Sequence, residues 1–267
     1  MMDYLDEFEN RTIYIIREAY SRFKNIALLW SMGKDSTVLL WLARKAFFGQ
    51  IPFPVIHIDT TFKFKEIYDF RDKYSKEWGL NLMVSKNDLA IKEGMNPKNN
   101  KFECCNALKT DTLKSTLLEY NFKALFLAIR RDEHGIRAKE RYFSPRNNDF
   151  KWNYQDQPAE LWDLYKTKVK SEEHFRIHPL LHWAEIDIWR YIRREQIPTV
   201  NLYIARGGRR YRSIGCACCC APVDSNANNI NKIIKELETT KVAERSGRAQ
   251  DKEDAYTMQR LRSLGYM

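Results

Sequence analysis

Within six residues, Ser31-Met32-Gly33-Lys34-Asp35-Ser36 brings together two hydroxyls, a glycine, an ammonium and a carboxylate. The segment sits between the apolar run 26–30 and a helix-like stretch over 37–47. A buried strand that turns through small residues into a helix start presents unbonded backbone N–H groups at the positive end of the helix dipole. That setting attracts phosphate. The spacing Gly-x-x-x-x-Gly-Lys-Ser/Thr is absent, so the loop is not of the Walker type. An N-capped helix after a strand is the plainer alternative, but it accounts for Ser31 or Asp35 alone rather than for the whole set.

Other chemistry-bearing residues fall at comparable places. Asp59 and Thr60 end an apolar run, where they are candidates for contact with a bound ligand or for a simple strand-end cap. Arg130, Arg131, Arg137 and Arg141 follow another apolar run. Guanidinium forks suit an oxyanion and an α-phosphate. Asp132, Glu133 and Glu140 are interspersed among them, so a solvated charge run is the rival reading. His178 and His182 are four apart, but Pro179 between them argues for structural roles, and His57 in an apolar run reads as a core histidine. The six cysteines occur in only two places, Cys104-Cys105 and Cys216, Cys218, Cys219, Cys220. Such clustering favours metal or sulfur chemistry over disulfide staples.

The elements that must position these groups are legible as a βαβ rhythm. Apolar positions at helical spacing over residues 4–24 predict an amphipathic opening helix. Strands are expected at 26–30, 55–58, 80–84 and 124–129. Helices are expected from the phosphate loop to about Phe48, from Lys65 to Trp78, over 104–118, from about Ala184 to Glu195, and over 230–238. Residues 144–175, polar and aromatic with Pro145 and Pro158, read as an irregular excursion. This pattern implies a parallel sheet with right-handed crossovers and helices on both faces, its sites beyond the carboxyl ends of the strands. A boundary near 205 would divide the phosphate-loop domain, residues 1–205, from a short cysteine-containing C-terminal segment, residues 206–267.

Several segments carry a resemblance. Ser31–Ser36, Phe53–Thr60, Phe70-Arg71-Asp72, Arg130–Glu133, Tyr211–Cys216 and Glu244–Arg248, in that order, resemble the ATP pyrophosphatases (PP-loop enzymes) of the phosphoadenosine-phosphosulfate reductase superfamily. Within that superfamily they are most similar to the small subunits of bacterial sulfate adenylyltransferases. Met32 departs from the usual loop, Ser-Gly-Gly-x-Asp-Ser, by replacing its first glycine. The resemblance implies an adenine nucleotide α-hydrolase-like α/β fold and α,β-cleavage of ATP. It also implies that Ser31, Gly33 and Ser36 hold the departing pyrophosphate, with Lys34 adding charge and Asp35 placing Mg²⁺ or orienting the loop. Asp59, Thr60 and Arg130 would then touch the nucleotide, and Arg131 and Arg137 the acceptor. Cys104, Cys105, Cys216 and Cys219 look like the Cys-Cys…Cys-x-x-Cys ligands of a [4Fe–4S] cluster in adenylylsulfate reductases. Zinc and buried free thiols remain the alternatives. No cysteine follows Cys220, which counts against a sulfonucleotide reductase.

Bulk properties bound the function further. The 267 residues suffice for one large α/β domain, and no apolar run reaches the ~20 residues of a membrane helix. The acidic start, MMDYLDEFENRT, predicts no secretory leader and a cytoplasmic protein. A net charge of +10 suits ATP, sulfate or nucleic acid as ligands. The expected function is ATP-driven adenylylation of an oxyanion in sulfur metabolism, with an oligomer compatible with it. The cysteines and charge incline it towards sulfur insertion into nucleic acid (DNA phosphorothioation or tRNA thiolation) with a cysteine desulfurase. The alternative is adenylylsulfate synthesis with a GTPase partner.

Overall fold

The computed structural model describes residues 3–135, 137–153, 155, 157–165 and 174–247. Ile136, Arg248 and the charged stretch beyond Gly247 lie outside these. A six-stranded sheet has the order β3-β2-β1-β4-β6-β5, comprising β1 (Ile26–Leu29), β2 (Val55–Ile58), β3 (Leu82–Ser85), β4 (Ala124–Phe126), β5 (Phe143–Arg146) and β6 (His174–Ile177). Five strands run parallel, and β5 joins antiparallel to β6. Sidedness follows the two-residue period of a strand. Ile26, Leu28, Val55, Ala124 and Phe126 enter one core, while Ala27, Leu29, Ile56, Ile58 and Leu125 enter another on the opposite face. The first core is closed by α1 (Tyr4–Arg22), α2 (Lys34–Ala46), α3 (Lys65–Glu77), α7 (Glu185–Glu195) and α8 (Ile230–Thr239). The second is closed by Leu113 and Leu117 of α6 (Thr112–Glu119).

Three segments differ from expectation. The helix foreseen over 104–118 is broken: short α5 (Lys101–Cys105), after α4 (Asp88–Lys92), passes into a wide π turn over Asn106–Asp111 before α6. Asn106 Nδ2 donates to Asp111 Oδ2 (3.1 Å) and Thr112 Oγ1 to the Ala107 carbonyl (3.3 Å) across that turn. The region 144–175 is not wholly irregular, because β5 forms at its start, its Pro145 tolerated on a sheet edge, and β6 begins at its end. The third strand is shifted towards the C-terminus, to Leu82–Ser85. After α7 the chain forms the ribbon β7 (Arg209–Arg210) with β8 (Val223–Asp224), then α8, which packs on α7. A backbone bridge from Cys216 to Lys63 and ion pairs from Glu244 tie this last segment to the sheet's carboxyl end.

Candidate functional site

The phosphate-type loop leaves β1 and becomes α2 at the carboxyl edge of the sheet. Met32 takes the left-handed conformation at φ 59°, which explains why glycine is usual there. That conformation costs about 1–2 kcal/mol for a side-chain-bearing residue. Burial of the Met32 side chain in the core, 1% exposed, offsets it. Gly33 has ordinary φ but little room: a Cβ there would meet Ser31 Oγ at 3.3 Å and Tyr203 OH at 3.6 Å. Ser36 Oγ donates to the Gly33 carbonyl (3.0 Å), receives the Ser31 amide (3.3 Å) and lies 3.0 Å from Ser31 Oγ. Both hydroxyls therefore converge on the first turn of α2. The Lys34 amide donates to Tyr203 OH (2.8 Å).

Beneath the loop lies a buried charge network. Lys34 pairs with Glu244, with Asp35 (3.2 Å) and with Glu185 (4.0 Å). Arg130, fully buried, pairs with Asp35, with Glu244 and with Asp132 (2.9 Å). Arg212 holds Glu185 through two nitrogens. Burial opposes the Lys34 charge, but Asp35, Glu244 and Glu185 outweigh it and hold the ammonium above the usual lysine range. Burial likewise opposes ionisation of Glu244, yet Arg130 and Lys34 hold its carboxyl far below the usual range. For Glu185, burial and then the Glu244 charge win, and its carboxyl is raised. Lys34 and Arg130 are thus fixed as cations at the loop whatever the ambient pH near neutrality.

The loop faces a cavity lined by Ser31, Gly33, Lys34, Asp35 and Ser36 together with Lys63, Lys109, Arg137, Cys216, Glu244 and Arg245. Of the expected acceptor arginines, Arg137 lies on this wall, paired with Glu133, which also binds Arg245 (3.2 Å). Arg131 goes elsewhere: its guanidinium stacks on the Tyr142 ring at 5.1 Å. Arg141 donates to the Pro158 carbonyl. Asp59 is engaged as a strand-end cap. It accepts from the Thr61 amide (2.8 Å) and Tyr68 OH (2.9 Å), and pairs with Lys86 (3.3 Å). Thr60 Oγ1 contacts Cys216 Sγ at 3.1 Å. His57 Nδ1 lies 3.1 Å from the Trp30 carbonyl and His178 Nδ1 2.8 Å from that of Arg141, the structural roles expected of them.

The fold brings the two cysteine groups into one neighbourhood. The charges of Cys105, Cys216 and Cys218 act on Cys104, and burial first, then these, push its thiol up to about 12. Cys219 is raised to about 12 by the same causes. Metal and cluster ligation need thiolates. Among the described residues no group of three or more His, Cys, Asp or Glu is spaced to hold a metal ion. The expected [4Fe–4S] ligands Cys104, Cys105, Cys216 and Cys219 thus share one neighbourhood, but the structure does not assemble them into a metal-holding group. Asp35, the expected Mg²⁺ carboxylate, has its oxygens on Arg130 and Lys34.

Residues that the sequence reading assigned no role, Glu185, Tyr203, Glu244, Lys63 and Lys109, thus make much of this site. Glu244 and Arg245 carried a signal, since they open one of the motifs of the resemblance.

A mostly parallel sheet with a phosphate-type loop at its carboxyl edge defines an adenine nucleotide α-hydrolase-like protein. The chain belongs to the family of the phosphoadenosine phosphosulfate reductase domain, which matches residues 25–222. It is 38% identical to sulfate adenylyltransferase subunit 2 of Geotalea daltonii, over 99% of this chain and 98% of that one. The same subunit of Colwellia psychrerythraea is 40% identical over 99% of each. Among solved structures, the fold matches FMN adenylyltransferase of Candida glabrata in complex with ATP. The TM-score is 0.58 and the identity 21%, over 84% of this chain and 67% of that one. Phosphoadenylyl-sulfate reductase of Candida auris matches at TM-score 0.56 and 17% identity, over 82% and 96%. Among the described residues no helix is long and apolar enough to cross a membrane.

Proposed function

We propose that this chain is the adenylyl-transferring subunit of a sulfate adenylyltransferase, cleaving ATP between its α- and β-phosphates with a partner subunit. The observation that carries this reading is identity of 38–40% to subunits of that name across almost the full length of both chains. A sulfate oxygen attacks the α-phosphorus, the bond from that phosphorus to the bridging oxygen breaks, and the bridging oxygen leaves with its electron pair as pyrophosphate. No proton need move. The difficulty is the approach of two anions: unit charges ~4 Å apart repel by about 4 kcal/mol at an effective dielectric of 20. Lys34 and Arg130 answer this as fixed cations, and the Ser31 and Ser36 hydroxyls with the α2 amides receive charge as it develops on the leaving group. Mg²⁺ arrives as the counter-ion of ATP.

Sulfur insertion into nucleic acid draws support from the cysteines that the fold gathers near the cavity, but among the described residues no metal-holding group supports the cluster it would use. Sulfate and a GTPase partner in one assay, and a desulfurase with DNA or tRNA in another, separate the two. Sulfate-dependent pyrophosphate release with formation of adenylylsulfate is the expected result. Thiolated nucleic acid formed without any response to sulfate would overturn it.

A further inference from the structure

The first amides of a helix find no acceptor within it, and they are the groups that hold an anion at its start. At α2 one of them is already taken. The Lys34 amide donates to the hydroxyl of Tyr203, a residue 169 positions further along the chain on the turn Asn201–Tyr203 after α7. Tyr203 is 1% exposed. Its ring meets Trp189 edge-on at 5.4 Å, and Lys34 Nζ lies 5.9 Å from the ring centroid. Packed in this way, the phenol keeps its oxygen at the loop, where a Cβ on Gly33 would meet it at 3.6 Å.

A phenol can accept and donate at once. The Lys34 amide uses one acceptor position of Tyr203, but among the described residues nothing accepts the hydroxyl's own proton. Tyr203 lines the cavity beside Ser31, Gly33 and Ser36. Burial pushes the phenol up to about 12 against the opposing pull of Lys34, so it keeps that proton near neutrality. A buried donor without an acceptor carries a desolvation cost that an incoming acceptor relieves. Accepting from the amide also polarises the O–H bond, which passes the positive end of α2 on through the ring oxygen.

We propose that Tyr203 is a further donor of the phosphate site, its O–H hydrogen-bonding an oxygen of the pyrophosphate that leaves ATP. This rests on the reading of the loop as the grip on a cleaved triphosphate, and it adds a residue that the loop motif does not contain. The bond strengthens as the bridging oxygen takes its electron pair and charge spreads over the leaving group. No proton is transferred.

The test is calorimetric titration of the full chain with magnesium pyrophosphate and, separately, with AMP. It is run on the wild type, on Tyr203→Phe, and on a chain carrying a ring-fluorinated tyrosine at position 203. Tyr203→Phe should lose at least about tenfold in pyrophosphate affinity, or 1.4 kcal/mol. Its AMP affinity should stay within about twofold, which also shows that it is folded. The fluorinated phenol is more acidic, yet it keeps the oxygen that accepts from the Lys34 amide. Its pyrophosphate affinity relative to wild type should fall at least about tenfold as pH rises through its ionisation, followed by phenolate absorbance. A ratio that stays flat would overturn the donor, since the hydroxyl would then serve only to hold the Lys34 amide. So would undiminished pyrophosphate affinity in Tyr203→Phe, or AMP binding lost in parallel. If Tyr203→Phe does not fold, the fluorinated chain decides alone. Turnover with sulfate and the GTPase partner separates the two levels. Sulfate-dependent pyrophosphate release with an unchanged kcat in Tyr203→Phe rejects the donor and leaves the activity standing. A wild type that binds pyrophosphate through Tyr203 but cleaves no ATP rejects the activity and keeps the donor.

Discussion

Replacing Glu244 by glutamine removes one charge from a place where three buried groups meet. The Glu244 carboxylate binds Lys34 and Arg130, and the three side chains are 5%, 1% and 0% exposed. Deleting one partner of a buried pair costs about 3–5 kcal/mol when the other is stranded. Here neither is fully stranded, since Lys34 keeps Asp35 and Glu185, and Arg130 keeps Asp35 and Asp132. Glu185 also gains, because the like charge that raises its carboxyl disappears. The lower end of the range therefore applies, about 3 kcal/mol. At roughly 2–4 °C per kcal/mol for a chain of this size, the Tm should fall by about 6–12 °C. Nucleotide should act in the other direction. The phosphates of ATP and the Glu244 carboxylate compete for the same two cations, so the variant should bind Mg-ATP at least about tenfold more tightly, or 1.4 kcal/mol. Scanning calorimetry with and without Mg-ATP measures both effects. An unshifted Tm would refute the energetic role given to the network, and weaker ATP binding would refute the competition.

Ser36→Ala should lower the kcat for pyrophosphate release by about 10²-fold or more, as loss of one leaving-group donor does, in a coupled pyrophosphate assay. Tyr203→Phe leaves the Lys34 amide without its acceptor and should cost about 1–3 kcal/mol in urea unfolding. Stability should decline in acid. Burial first, then Arg11, lowers His182 to about 4, and burial lowers His57 and His174 well below the usual range. The folded state then binds fewer protons than the unfolded one, so the His182 contribution is complete above about 6.5 and is lost as pH falls towards 4. It amounts to about 3 kcal/mol, and urea midpoints from pH 7 to 4 should flatten in His182→Phe. Cys104→Ser should leave ATP-dependent pyrophosphate release intact, and anaerobically purified wild type should hold iron and zinc far below one per chain by elemental analysis.

The parallel sheet was legible because its strands are buried on both sides and read as unbroken apolar runs, as in Val55–Ile58 and Ala124–Phe126. Strand β5 was not, because an edge strand carrying Pro145 and Arg146 has no such signature. The π turn was hidden for another reason: 104–118 keeps a helical apolar period, and only the side-chain bonds across Asn106–Asp111 reveal the extra residue. At the site, the loop announces itself because its chemistry is contiguous. Glu244 lies 210 residues from Lys34, and nothing local to either says that they meet. Asp59 shows the converse, a carboxylate at a promising strand end that spends its oxygens on Thr61, Tyr68 and Lys86.

That long separation has a consequence for how the molecule matures. During synthesis the phosphate-type loop is made 210 residues before Glu244, one of the acids that pair with its lysine. Until then Lys34, at the start of α2, has only Asp35 and Glu185 to pair with. A nascent or truncated polypeptide could hold most of its strands in register and still lack the contacts that fix Lys34 and Arg130 beneath the loop, which form only once the segment bearing Glu244 docks.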